Sequence, residues 1–271
     1  MQNGLRTTLS HLAWKLAPVH MHDRYLAHDK FAEREEDIIG DIVDPNRGSI
    51  DVGANLGRYT ILLSKHTEFV IAFEPHHEVA RLLKELVRRK GIDNVTIVEK
   101  AASSAADQTR PFFLPSEGTG HSTLEQTAQN GSTDVTEVTT ATLDQLAGHD
   151  VGFVKIDVEG HEYDVLCGAK QFIEANSPTF LIEIETLVAP GQIALIREFF
   201  EERNYAGYYI YKNALHPIDA FEDRLQDRKA LDWSRSRREM DFVNNFLFAP
   251  RGPASEQLAE RIATGLTRSI S

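Results

Sequence analysis

Two acidic residues with a glycine turn between them could bind a nucleoside. Asp51 ends a short apolar run, Gly53 and Gly57 follow it, and Glu74 ends the next apolar run. This order predicts a strand, a glycine turn, a helix and a second strand whose terminal acid binds the hydroxyls of a ribose. A nucleoside site is therefore expected where these two strands end.

Asn55 and Asp51 indicate which nucleoside this site accepts. A dinucleotide site needs a middle glycine so that the backbone can close on a pyrophosphate, but Asn55 stands at that position. The Asp51 carboxylate would repel a pyrophosphate, whereas it can bind an amino acid group directly or through water. These residues favour a cofactor without phosphates, such as S-adenosylmethionine.

Composition narrows the classes of partner. The chain has 271 residues and a formal net charge of −12, and nucleic-acid binding calls for a basic stripe instead. A small neutral or cationic partner is favoured, and a homo-oligomer is compatible with the composition. The single cysteine, Cys167, excludes an internal disulfide and a Cys-rich zinc site, so we expect a reducing, cytoplasmic compartment. No stretch has the length for stable membrane insertion.

Strand and helix patterns alternate along the chain and predict three regions. Residues 1–47 form a helical N-terminal extension, residues 48–249 a Rossmann-like domain and residues 250–271 a peripheral C-terminal tail. The alternation favours a doubly wound α/β sheet, mostly parallel, with ligands at the carboxyl ends of its strands. Two later pieces, 207–211 and 242–248, are expected to close the sheet as an antiparallel pair.

Residues 101–142 interrupt the alternation. Pro, Ser, Thr and Gly are frequent there, and two short β-like pieces stand at 111–114 and 135–140. We interpret the segment as a hairpin with a mobile loop that forms a lid over the site. A plain surface excursion is the alternative.

As a set, the motifs resemble those of the FkbM-type methyltransferases. They occur in order along the chain as Ile50–Thr60, Ala72–Pro75, Thr142–Asp144, Lys155–Glu162 and Leu181–Ile184. The resemblance implies a class I methyltransferase fold with S-adenosylmethionine as methyl donor. It also implies, as the usual acceptor, a hydroxyl oxygen on a small natural product, sugar or glycan. The acceptor itself is not identified, because that part of the family pattern is variable.

The strand ends and the glycine turn supply the predicted cofactor contacts. His76 and His77 depart from the family pattern, which has more neutral polar residues there; they could contact the adenosine or cap the following helix. The predicted cofactor-binding residues are Asp51, Gly53, Asn55, Gly57, Glu74, Pro75, Ala101 and Asp157.

Methyl transfer is an in-line displacement that can require removal of one proton from the acceptor. The candidate bases are Asp157, His161 and Glu183, together with His121, which the lid would deliver on closure. In an extended segment, Asp157, Glu159 and His161 would all face one side. An acid at a strand end can instead cap the next helix.

The residues leave three alternatives for the function of the site open. An acid-and-histidine set permits a divalent metal that lowers the pKa of the acceptor hydroxyl, but no two-histidine helical spacing supports one. A nicotinamide-dependent oxidoreductase would need a glycine near position 55. A catalytically idle nucleoside-binding module would dock a partner through its helical N-terminus.

Overall fold

An eight-stranded sheet organises the fold in the computed structural model, which describes residues 17–26, 32–114, 122–125, 134–227, 229, 231 and 240–268. In chain order the strands are β1 (Gly48–Val52), β2 (Val70–Phe73), β3 (Val95–Val98), β4 (Ala101–Ala102), β5 (Thr109–Leu114), β6 (Asp134–Ala141), β7 (Val151–Ile156), β8 (Thr179–Glu183), β9 (Tyr205–Tyr211), β10 (Ala214–Pro217) and β11 (Asn245–Pro250). The helices are α1 (Pro18–Leu26), α2 (Arg34–Asp37), α3 (Ile39–Ile42), α4 (Arg58–Leu63), α5 (His77–Arg89), α6 (Glu162–Cys167), α7 (Lys170–Asn176), α8 (Gln192–Glu201) and α9 (Pro253–Arg268).

The strand order confirms the predicted doubly wound sheet. It runs β10-β9-β11-β8-β7-β1-β2-β3. Neighbouring strands from β8 through β3 are parallel, whereas β11 is antiparallel to both β8 and β9. The order reverses between β1 and β7, and ligands bind at such a switch point, outside the carboxyl ends of the strands. A site is therefore expected where β1, β2 and β7 end.

Burial explains why the central strands form where they do. Every residue of β1 is buried, as is typical of a parallel strand covered by helices on both faces. Helix α5 buries Val79, Leu83, Leu86 and Val87, which recur at helical spacing on one side. No helix in the described ranges combines the length and apolar character needed to cross a bilayer.

The predicted hairpin is present as β5 and β6, which pair antiparallel, and β4 adds to β6 in parallel. Thr123 lies beside the hairpin, because Phe113 and Thr123 exchange both backbone hydrogen bonds, at 2.8 and 3.1 Å. The pairing places residues 122–125 over the carboxyl end of the sheet. Whether this segment closes as a lid stays a prediction.

The interpretation of residues 250–271 as a peripheral tail differs from the structure. Within this region α9 buries Leu258, Ile262 and Leu266, which pack with residues of α3 and the sheet. Arg268 also pairs with Asp41 at 2.5 Å. The three apolar residues recur every fourth position, so the sequence does carry the signal of an amphipathic helix.

Ile262→Ala tests this packing. Ile262 is fully buried, so its truncation should lower the free energy of unfolding by about 2–4 kcal/mol, through lost burial and the cavity left behind. Urea denaturation measures the change, and Arg261→Ala on the exposed side of α9 is the matched control. Equal, small effects of both variants would mean that α9 is peripheral after all.

Candidate functional site

A cleft opens at the switch point of the sheet, the place where small-molecule sites of such sheets lie. It is bounded by the ends of β1, β2 and β7, by β4 and by residues 122–125. The predicted site residues that line it are Gly53, Asn55, Glu74, Pro75, Ala101, Asp157 and His161. Asp51, Gly57 and Glu183 lie outside its lining, and His121 lies outside the described residues.

Backbone packing explains both predicted glycines. Gly53 has a φ of +85°, and a Cβ there would lie 1.8 Å from the carbonyl oxygen of Asp157. Gly57 has a φ of +79°, and its Cβ would lie 2.3 Å from Cδ1 of Leu83 on α5. Gly53 therefore lets the β1 and β7 loops meet at the cleft. Gly57 lets α4 pack against α5 and does not touch the cleft itself.

Glu74 presents a fixed carboxylate to the cleft. Its Oε2 accepts the backbone N–H of Asn55 and its Oε1 accepts that of His76, both at 2.8 Å. Burial raises the pKa of Glu74 to about 7, although these two hydrogen bonds act in the opposite direction. Each carboxylate oxygen can accept a further hydrogen bond. Glu74 is thus oriented in advance to receive a pair of hydroxyl groups.

Asp51 lies one layer behind the cleft. It is buried, and the Thr60 hydroxyl donates a hydrogen bond of 2.5 Å to its Oδ2. Burial raises the pKa of Asp51 to about 6. This hydrogen bond holds α4 against β1. The predicted contact between Asp51 and the cofactor stays a prediction.

His76 places its imidazole in the lining of the cleft. Its Nδ1 is shielded from solvent and has no hydrogen-bond partner among the residues that the structure describes. Burial lowers the pKa of His76, which keeps the imidazole neutral. Val79, Phe112 and Leu124 add apolar lining. A carboxylate for ribose hydroxyls, a neutral imidazole and apolar side chains together fit the adenosine of S-adenosylmethionine.

The segment after β7 turns sharply, so the prediction of an extended Asp157–His161 segment is wrong. Glu159 has a φ of 54° and Gly160 a φ of 105°. Asp157 stays in register with β1, since its N–H donates to the carbonyl of Val52 at 2.9 Å. The turn still brings Asp157, Glu159 and His161 to the cleft.

His161 has a partner at each ring nitrogen. Nε2 lies 2.9 Å from the Ser103 hydroxyl and Nδ1 lies 2.7 Å from Glu125, and the side chain is 2% exposed. Thr123 adds a hydrogen bond of 3.2 Å to the carbonyl of Val158. Neither nitrogen of His161 is left for an acceptor hydroxyl. The residue joins segment 122–125 to the β7 turn, and its predicted role as a base has no geometric support.

One group in the described part of the chain has the spacing of a metal site. Ligand atoms of Glu125, His161 and Asp164 lie within 4.8 Å of one another. The direct hydrogen bond between Glu125 and His161 accounts for their approach without a cation. A metal therefore gains no support beyond that of the sequence.

Asp157 is an acid in the cleft whose environment suits a base. Burial raises its pKa, and the charge of Lys155 opposes the rise. Lys155 is itself buried and donates to Oδ1 of Asn245 at 3.2 Å. Glu183 accepts a hydrogen bond from Nδ2 of Asn244 and stands away from the cleft.

Glu162 should make the stability depend on pH. Its carboxylate accepts the N–H of Gly160 at 2.9 Å, and burial raises its pKa from 4.5 to about 7. Because the pKa of Glu162 is higher in the folded state than in the unfolded state, its protonated form stabilises the fold at pH values below the unfolded-state pKa. This contribution is lost as the pH rises through the folded-state pKa of about 7. Glu162→Gln should therefore raise the free energy of unfolding by about 2–3 kcal/mol at pH 8 and have little effect near pH 4. Urea titrations at both pH values test this, with exposed Glu174→Gln as control. A gain of the same size at both pH values would contradict it.

A model of the methyltransferase FkbM domain matches residues 51–206, while a search of curated proteins gives no match.

Three solved structures are similar in fold. A FkbM methyltransferase from Methylobacillus flagellatus KT is 14% identical over 87% of this chain and 60% of its own, with a TM-score of 0.47. An rRNA methylase from Streptococcus thermophilus is 10% identical over 80% and 95%, with a TM-score of 0.46. A protein from Streptococcus mutans, proposed to be a methyltransferase and crystallised with SAH, is 11% identical over 79% and 95%, with a TM-score of 0.44. Likenesses this distant do not bear on the acceptor. The family match spans more than half of the chain, and the chain therefore belongs to the FkbM family of S-adenosylmethionine-dependent methyltransferases.

Proposed function

We propose that this protein methylates a hydroxyl oxygen on a small natural product, sugar or glycan. The observation that carries the proposal is Asp157, a carboxyl that lines the cleft and whose pKa burial raises from its ordinary value. A base with a pKa near the working pH is best suited to take a proton from a hydroxyl. An amine acceptor could instead react in its free form, with no base in the site.

Different residues of the cleft bind the cofactor and accept the proton. S-adenosylmethionine supplies an electrophilic methyl group on a sulfonium. Glu74 and His76 bind the adenosine end and fix its orientation, which lowers the entropic cost of aligning the reactants. Asp157 accepts the hydroxyl proton and, while ionised, favours a nearby cation. His161 is a positioning residue that anchors segment 122–125 beside the cleft.

Family membership favours methyl transfer over a nicotinamide-dependent oxidation. Asn55 at the middle position of the glycine turn supports the same choice. A binding module without turnover is the second candidate, and an activity measurement separates it from the first. We also propose that the protein acts in the cytoplasm, as its single cysteine suggests, on an acceptor that is not a nucleic acid.

The experiment is a methyl-transfer assay with the full chain. S-adenosylmethionine labelled in its methyl group is supplied with matched acceptors that differ in one group: an alcohol, the corresponding amine and the corresponding methyl ether. Label should enter the alcohol as a methyl ether, identified by mass spectrometry. Label found only on nitrogen or carbon would contradict O-methylation. Donor binding without label transfer to any acceptor would favour the binding module.

A further inference from the structure

A second cavity lies on the far side of β7 from the cleft. One wall is polar and the other apolar. The lining residues are Glu33, Arg34, Glu35, Ile210, Leu231, Met240, Phe242, Val243, Asn244 and Asn245.

This cavity lies at the same edge of the sheet as the cleft. Because β11 is antiparallel to β8, its first residue pairs with the last residue of β8, Asn245 with Glu183. Lys155 joins the two sides, since it donates to Asn245 and stands two residues before Asp157 of the cleft. Strands β7 and β11 are two strand spacings apart, roughly 10 Å. The second cavity therefore lies about two strands away from the base candidate.

Glu35 is the unusual group in this cavity. It is 7% exposed, and in the described ranges its carboxyl is hydrogen-bonded to its own backbone N–H and to no other residue. Burial raises its pKa, as does the neighbouring Glu33, while the charges of Lys155 and Arg34 act in the opposite direction. A buried carboxyl with a single hydrogen bond is costly and calls for an explanation.

The acids around Glu35 are already engaged. Glu33 accepts the Tyr59 hydroxyl at 2.8 Å, and Glu36 pairs with Arg58 at 2.6 Å. Arg34 lines the cavity too, but its Nη2 donates to the carbonyl of Met240 at 3.4 Å. Among the carboxyls that line this cavity, Glu35 is therefore the one that can pair with a ligand.

We infer that the second cavity is an acceptor subsite in which Glu35 pairs with a protonated amine, so that the acceptor is an amino sugar or amino alcohol. This inference rests on the proposed function and names the class of its substrate. An ammonium group would supply a hydrogen-bond donor and a positive charge in direct contact with the carboxyl. The amide groups of Asn244 and Asn245 and the ring of Phe242 suit the hydroxyls and the apolar face of such a molecule.

Two matched pairs of probes test the inference. Glucosamine is compared with N-acetylglucosamine, and ethanolamine with ethylene glycol, by NMR titration of the full chain labelled with ¹³C at the glutamate carboxyls. We expect each amine to bind at least 10-fold more tightly than its uncharged match, and the Glu35 signal to move to the ionised position as the amine binds. Glu35→Gln should abolish the preference, whereas Asp37→Asn, exposed on the same helix, should keep it.

No preference for the amines, or a preference that survives in Glu35→Gln, would overturn the inference. S-adenosylmethionine affinity is measured on the same samples by calorimetry. Normal donor affinity with no amine preference would overturn the amine subsite alone. Absent donor affinity in the unmodified chain would contradict the proposed function as well.

Discussion

Replacing Glu74 by glutamine should weaken S-adenosylmethionine binding roughly 100-fold, the equivalent of about 3 kcal/mol. Both carboxylate oxygens accept backbone N–H groups, so the amide of glutamine must face the N–H of Asn55 or of His76. One N–H then loses its acceptor, and a ribose hydroxyl loses a charged partner. Each such loss costs about 1–3 kcal/mol.

Calorimetric titration of the purified variant measures the loss, and a thermal melt shows whether the variant is folded. Glu99→Gln is the matched control, because Glu99 pairs with His77 and Lys84 on the surface beside the same strand end. Its donor affinity should stay within about threefold of the unmodified protein, a change below 1 kcal/mol. Unchanged affinity in Glu74→Gln would remove Glu74 from the binding site.

Asp157→Asn should lower kcat by about 10²–10⁴-fold, the usual contribution of a general base. Asparagine keeps the size of the side chain but cannot take the proton. Donor affinity should change little, since the ribose and adenine contacts assigned to the cleft come from other residues. Glu174→Gln, on the exposed side of α7, controls for the loss of one acid.

The pH profile separates a base from a merely structural acid. Burial raises the pKa of Asp157, so the ionised and active fraction should increase as pH rises through the neutral range and then reach a plateau. This rising limb of kcat should be absent from Asp157→Asn. If Asp157→Asn loses donor affinity and turnover in parallel but keeps the rise of kcat with pH, then Asp157 binds the donor and is not the general base.

The sequence predicted the features that depend on local patterns. Apolar runs placed β1, β2 and β7, and the spacing from Gly53 to Glu74 placed the cleft at their ends. Both glycines have positive φ; Gly53 also approaches the backbone of Asp157 closely, and Gly57 approaches the side chain of Leu83. Asp51 shows the limit of this reasoning, because being near a strand end does not decide whether a side chain faces the cleft or the layer behind it.

Features that depend on distant pairing could not be predicted. His161 meets Glu125 and Ser103, which are 36 and 58 positions away, and no local pattern indicates such partners. The turn at Glu159 requires a non-glycine residue at positive φ, which propensity disfavours. The second cavity joins Glu35 to Asn245, residues brought together by the packing of the N-terminal helices on the sheet.

The most direct test of the central claim, that the cleft binds S-adenosylmethionine, is a thermal-shift titration of the unmodified protein with S-adenosylmethionine, its demethylated product and NAD. A ligand at about 100 times its Kd should add roughly 2.7 kcal/mol, a rise of about 5 °C for a chain of this size. Stabilisation by S-adenosylmethionine and its product, but not by NAD, is the predicted result. Stabilisation by NAD alone would contradict the account.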